Sequence, residues 1–255
     1  MRVPTVRLFP VCFALVAFLT AAAQGITFKN PILIHTSYDP VGLAVGDFNR
    51  DGTLDLAYID GPGTHALHVL LGRGDGTFSH GQEMELPDGL CGYTDCVVNV
   101  ADVTNDGIMD FVIGGAGTST AQVGSLRGNG DGTFGQPVVS VMVASTIGNF
   151  PFLSGRIGIG DINADGAADM VVGDQMNNLI WVALGDNTGK FTLLTTIHSG
   201  YPIAEYLADL NGDGHLDIVT LDRLGALAQV NRGNGNGTFQ TPVYYTFGTS
   251  TFSKR

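Results

Sequence analysis

Nowhere in this sequence do Leu, Ala, Glu and Lys gather into a long stretch at helical spacing, and that lack argues against a helical bundle. Basic residues are scarce too. Lys and Arg number 12 against 24 Asp and Glu, giving a formal charge of −12, and no basic stripe exists to neutralise phosphate, which excludes nucleic acid as a partner. With only 3 Cys in the chain, soft ligands are too few near one another for a zinc centre. No GxSxG elbow occurs, and Ser, His and Asp are too scattered to nominate a catalytic triad. Charged residues amount to 14% and hydrophobic ones to 44%, so the chain can nevertheless bury a core.

Long apolar runs are also missing. LFPVCFALVAFL spans about a dozen residues, short of the roughly 20 that a membrane helix needs. Preceded by MRVPTVR and followed by TAAAQG, it reads as a secretory leader over residues 1–23, cleaved after Ala23. Cys12 lacks the small residues that would precede a lipoprotein site. Cleavage removes Arg2 and Arg7 and takes the formal charge from −12 to −14. The mature protein, residues 24–255, is expected to be secreted, extracellular or periplasmic, with no membrane span left. In such a compartment Cys91 and Cys96, in CGYTDC, are expected to form a small disulfide closing a loop.

What the sequence has in plenty is glycine, 37 residues of it, and aspartate in a recurring frame. The segments DFNRDGTLD (47–55), DVTNDGIMD (102–110), DINADGAAD (161–169) and DLNGDGHLD (209–217) each carry Asp at places one, five and nine and Gly at place six. Tight turns alone favour Asp, Asn and Gly for backbone reasons, but they do not call for a carboxylate at place nine. The loop starts are 55, 59 and 48 residues apart, a tandem array. Twelve of the negative charges sit in these loops and would repel one another unless cations lie among them.

Each loop is embedded in a larger unit. An apolar run such as VGLAVG precedes it, and a second run (LAYI, FVIGG, MVVG, DIVTL) and a third (ALHVLLG, AQVGSLRG, LIWVALG, ALAQVNRG) follow. A glycine turn ending in Phe comes next: GDGTF at 74–78 and 130–134, NTGKF at 187–191, GNGTF at 235–239. A weaker, more polar strand closes the unit. Four short strands joined by such turns predict one antiparallel sheet per repeat, the blade of a β-propeller, with repeats near 41–90, 96–150, 155–200 and 203–247. A β-solenoid is the structural alternative, although its periods are usually much shorter.

Asp loop, two apolar strands and GDGTF-type turn, in that order each time, resemble the FG-GAP or VCBS repeat, which is similar to the blades of the integrin α-subunit propeller. The resemblance covers about residues 26–247. It implies an all-β propeller of four-stranded antiparallel blades, a structural calcium ion in each loop, up to four in all, and extracellular recognition or scaffolding more often than catalysis. The expected partner is an extracellular protein or glycan. A polysaccharide lyase or hydrolase, or an accessory module of one, is the rival. Propellers of the family commonly close with seven blades, whereas four Asp loops are visible here. ITFKNPILI at the start matches an outer strand without an inner unit, so the propeller is expected to be incomplete or open, either truncated or completed by self-association.

The expected calcium ligands are hard oxygens brought inward by a tightly wound loop. In the first loop they are Asp47, Asn49, Asp51, Asp55 and the carbonyl of Thr53, and in the third Asp161, Asn163, Asp165, Asp169 and the carbonyl of Ala167. The fourth offers Asp209, Asn211, Asp213, Asp217 and the carbonyl of His215. The second offers Asp102, Asp106, Asp110 and the carbonyl of Ile108, with Thr104 where the others have Asn, which makes it the weakest site; Asn105 is a substitute if the register shifts. An EF-hand would end in Glu at place twelve between helices, which this spacing does not allow.

Other signals are set aside. RGD at 73–75 lies inside a GDGTF turn, and the glycine clusters have no helix after them to bind phosphate. His65 and His68 are read as sharing one solvated face at the start of a strand. Trp181, Tyr244 and Tyr245 could stack on sugars but are read as packing.

Overall fold

The computed structural model describes residues 33–34, 36, 39–61, 65–87, 89–91, 96–116, 120–144, 153–223 and 227–246. The leader and the ITFKNPILI strand therefore fall outside the described residues, except for Leu33 and Ile34. No helix occurs among the described residues. Among the described residues sixteen strands form four separate four-stranded antiparallel sheets.

The first sheet runs β1 (Pro40–Gly46), β2 (Asp55–Asp60), β3 (Ala66–Gly72), β4 (Phe78–Glu85). The second runs β5 (Val97–Ala101), β6 (Asp110–Ala116), β7 (Thr120–Leu126), β8 (Val138–Ala144). The third comprises β9 (Leu153–Gly160), β10 (Asp169–Asp174), β11 (Leu179–Gly185) and β12 (Phe191–His198). The fourth comprises β13 (Pro202–Ala208), β14 (Asp217–Asp222), β15 (Leu227–Asn231) and β16 (Val243–Thr246). Each is a meander in which sequence neighbours pair.

The inner strands β1, β5, β9 and β13 lie side by side in that order, and among the described residues the series does not return from β13 to β1. The sheets thus form an open, propeller-like array. Strand chemistry follows position. All six residues of β10 are buried, because neighbouring sheets cover both of its faces, whereas all four of β16 are exposed.

Alternation along the second strands sorts the cores. Ala57 and Ile59 meet Phe111 and Ile113 between the first two sheets. Val112 meets Met170, Val172 and Trp181 between the second and third. Val171, Ile180 and Val182 meet Ile218 between the third and fourth, in the smallest of the three cores. Trp181 is therefore core, as expected, while Tyr244 and Tyr245 stand exposed on the outer strand instead of packing.

Candidate metal centres

Each Asp loop links an inner strand to the second strand of its sheet and winds around its own place-one carboxylate. Asp47 accepts hydrogen bonds from the backbone N–H of Asp51 (3.1 Å) and Gly52 (2.9 Å). Asn49 accepts from the same Asp51 N–H at 3.0 Å and donates through Nδ2 to Asp51 Oδ2 at 2.8 Å. Asp51 Oδ1 in turn accepts from Thr53 N–H at 2.7 Å.

The nesting recurs around Asp161, Asn163 and Asp165 and around Asp209, Asn211 and Asp213. The bend needs a left-handed residue at place six, where Gly52, Gly107, Gly166 and Gly214 have φ of 83°, 77°, 86° and 86°. These bonds stabilise charge: the Asn49 amide, then the Thr53 N–H, hold Asp51 below the usual carboxylate range. The Gly214 N–H leads the donors that do the same for Asp209.

Places one, three and five thus present partly or wholly exposed oxygens of hard character in one tight turn, a donor set suited to calcium. Among the described residues, no three Asp, Glu, His or Cys side chains are gathered about one point; the loop carboxylates face N–H donors.

Place nine behaves differently. Asp55, Asp110, Asp169 and Asp217 are completely buried. Asp55 Oδ2 accepts from Phe48 N–H (2.9 Å) at the loop start, and Oδ1 from Gly72 N–H (2.8 Å) at the end of β3. The same bracket joins Val103 and Gly128 through Asp110, Ile162 and Gly185 through Asp169, and Leu210 and Gly233 through Asp217. This corrects the reasoning that only a metal accounts for a ninth-place carboxylate, since two backbone N–H groups at buried or part-buried positions already engage it. Burial pushes the carboxyls of Asp110 and Asp169 up, with the Gly128 and Gly185 amides the strongest of the groups that pull them back.

The bracket also dictates a glycine that sequence reading passed over. At Gly72, Gly128, Gly185 and Gly233 a Cβ would run into the carbonyl oxygen of Leu54, Met109, Ala168 or Leu216. The signal was available: every third apolar run ends in Gly.

The second loop departs from the others beyond its Thr. Thr104 Oγ1 donates to Asp110 Oδ2 at 3.0 Å, so it is drawn toward place nine. Arg127 at the end of the sheet forks onto Asp106 Oδ2, with Nη2 at 2.8 Å and Nε at 2.9 Å. Burial opposes ionisation of Asp106, but the Ile108 N–H and then Arg127 bring its carboxyl below the ordinary range.

Glycine turns from one sheet clasp the loop of the sheet before. Gly132 N–H donates to Phe48 O at 3.0 Å, and Phe134 packs edge-on against Phe48 with centroids 5.3 Å apart. Gly237 N–H reaches Ile162 O at 3.4 Å. Inside every turn a side chain caps the bend: Asp75, Asp131, Asp186 and Asn236 each accept from a Thr hydroxyl at 2.6 Å. The RGD aspartate is thereby committed to its own turn.

The histidine reading was wrong. His65 and His68 are three residues apart, so strand alternation separates their directions, and His65 precedes β3 with φ of 44°. His68 is no solvated residue: it stacks on Tyr58 with centroids 4.8 Å apart, and its Nε2 lies 2.7 Å from the buried Asp60. Asp60 belongs to a second aspartate series that sequence reading missed, five places beyond the ninth, with Asp174 and Asp222 its counterparts and Gly115 in the second sheet. Asp174 caps the following turn by accepting from Asn177 N–H and Nδ2 at 3.2 and 2.7 Å. Cys91 and Cys96 are brought together with Cα atoms 5.0 Å apart, within the reach of a disulfide.

Four meander sheets in an open array, each with one bracketed Asp loop, define a propeller-type repeat protein. The chain belongs to the FG-GAP-like repeat family, whose model matches residues 47–113, 102–172 and 161–220. Comparison with curated proteins gave no match. Among solved structures, a protein from Lactobacillus plantarum is similar at 13% identity and a TM-score of 0.58, over 87% of this chain and 60% of that one. A Photorhabdus luminescens Tc holotoxin pore chain is similar at 19% identity and a TM-score of 0.43, over 87% of this chain and 10% of that one. A functionally unknown protein from Desulfotomaculum acetoxidans is similar at 13% identity and a TM-score of 0.47, over 84% of this chain and 72% of that one. The chain thus spans only part of the Tc holotoxin and Lactobacillus plantarum chains.

Proposed function

We propose that this is an exported binding or scaffolding module whose Asp loops take calcium and whose ligand is an extracellular protein or glycan. The observation that carries the reading is the recurrence, at the same place in all four sheets, of a wound loop presenting oxygens at places one, three and five. Asp47, Asn49, Asp51 and the Thr53 carbonyl would hold the ion in the first loop, with matching residues in the third and fourth. Asp55, Asp169 and Asp217 have each spent two lone pairs on N–H donors and retain others for the metal, whereas Asp110 already accepts four hydrogen bonds. The second loop is the weakest, because Arg127 already neutralises Asp106.

The ion's role is structural: it offsets the repulsion among three carboxylates and holds the loop that starts the second strand. Cys91 and Cys96 form a disulfide in the exported protein. A recess of about 530 Å³ along β1 and β5, reached by Arg156 of β9, supplies a concave surface for the ligand.

Thermal unfolding with calcium or with a chelator tests this. A ligand at about a hundred times its dissociation constant adds about 2.7 kcal/mol per site, so chelation lowers Tm and calcium restores it, while equal magnesium does not. Identical melting curves in both buffers would dismiss the calcium reading.

A further inference from the structure

Positions that are sealed inside the array become unsealed at its two ends. The residue after the ninth-place Asp faces the preceding sheet: Phe111, Met170 and Ile218 are all 0% exposed, yet Leu56 in the first sheet is only half-buried. The next residue but one faces the following sheet. Ala57, Val112 and Val171 are fully buried, whereas Val219 in the fourth sheet is half-buried and Leu221, two further on, is 38% exposed.

The loops repeat the contrast. Phe48, Val103 and Ile162 at place two are each 2% exposed, but Leu210 is 55% exposed. No turn of a following sheet covers it among the described residues.

Both end faces keep the chemistry of an internal interface. On the fourth sheet Val219 lies opposite Val230, and Val230 opposite Val243, while Leu221 lies opposite Ala228 and then Tyr245. On the first, Leu56 lies between Val45 and Leu70. A terminal repeat that ends in solvent normally turns a polar face outward; the fourth sheet keeps an apolar one, and the first keeps exposed Leu43 and Val45 beside Leu56, with Tyr58, His68 and Asp60 at the other end of the same face. Tyr206 is the one bulky residue where the other inner strands have Ala44, Asn99 and Gly158. Its ring is held to Arg156 of β9, with Cζ 5.7 Å from the centroid, and so leans back toward its own chain.

We propose that the outer face of the fourth sheet docks on the outer face of the first sheet of a second copy, and that two such contacts close a dimer of eight blades. The occupant follows from the molecule itself: the two faces are the two halves of the contact already made three times between consecutive sheets. Such a contact is heterologous, and it closes into a ring only when the rotation per blade permits. Eight blades lie within the range that propellers adopt. The faces lie on strands, so the proposal stands apart from the calcium reading.

Sedimentation velocity and light scattering of the 24–255 chain, in calcium buffer over a wide concentration range, test it. The expected mass is twice that of one chain. A monomer throughout, or an open series of growing oligomers, would overturn it. Leu56→Glu and Leu221→Glu each spoil one face at a side chain that is not sealed in the monomer, and each protein alone should run as a monomer with an unchanged far-ultraviolet spectrum. Mixing the two variants restores one good pair of faces and should return a dimer, weaker than the wild type. With both far-ultraviolet spectra unchanged, a mixture that stays monomeric would refute head-to-tail docking, and the wild-type mass tests the dimer independently of how either variant folds.

Discussion

Replacing Glu205 with Gln should make the protein more stable, and increasingly so as pH rises. Glu205 lies on β13 with no exposed surface, directly opposite Thr220, which lies opposite Gln229. Among the described residues no donor meets either carboxylate oxygen in good hydrogen-bond geometry, the nearby Gly173 and Arg156 amides giving only a weaker pull, and Thr220 Oγ1 and Gln229 Oε1 are likewise unsatisfied. Burial pushes the Glu205 carboxyl up to about 8 from 4.5, against the weaker pull of the Gly173 and Arg156 amides. The unfolded chain ionises first as pH rises, so stability is fully present below pH 4.5, falls between 4.5 and about 8, and is level above that. At 1.36 kcal/mol per unit the whole fall is of order 5 kcal/mol, about 3 kcal/mol of it by pH 7. These are upper figures, since the Gln amide carries its own burial cost. That is a large share of the 5–15 kcal/mol typical of a domain, and it falls on the contact with the smallest apolar core. Urea unfolding of both proteins in calcium buffer at pH 5, 6, 7 and 8 reads it: the curves should converge at low pH and diverge upward, and parallel curves would refute the burial argument.

Three further outcomes follow from the loops and their surroundings. Gly185→Ala should cost about 1–3 kcal/mol, because the new Cβ meets the Ala168 carbonyl; urea midpoints with chelator present will show whether the cost is independent of metal. Asp169→Asn should lose about 1–3 kcal/mol by setting an amide NH₂ against Ile162 or Gly185 N–H, again in chelator, and an unchanged midpoint would deny the bracket. Arg127→Gln should tighten calcium at the second loop by freeing Asp106, read by titration calorimetry as one more site or a stronger weakest site.

The sheets were legible because every apolar run is short and bounded by Gly, Asn or Asp, and because FVIGG and MVVG are buried on both faces, which leaves no polar alternation to misread. The loops were legible in their spacing but not in their division of labour. DFNRDGTLD shows three aspartates of equal standing, and nothing local says that Asp55 is buried while Asp51 is exposed. That difference arises from Gly72, seventeen residues away, whose N–H donates to Asp55 Oδ1. Likewise, Arg127 meets Asp106 only because β6 and β7 bring the end of the third strand back to the loop. His68 failed for a simpler reason: its partner Asp60 lies diagonally across two strands, and the ring is hidden by Tyr58.

The two functions of each aspartate-rich loop therefore fall mainly on different residues. The ninth-place carboxylate and the strand-end glycine hold the loop start to the third strand through N–H donors, without any ion. Places one, three and five shape only the exposed crest. Removing calcium should accordingly loosen the crests and leave the sheets paired. Hydrogen exchange would then rise at Asp51, Gly52 and Thr53 on chelation, while the N–H groups of Phe48 and Gly72 stay protected. Equal loss of protection at all five would mean that the bracket depends on the ion after all.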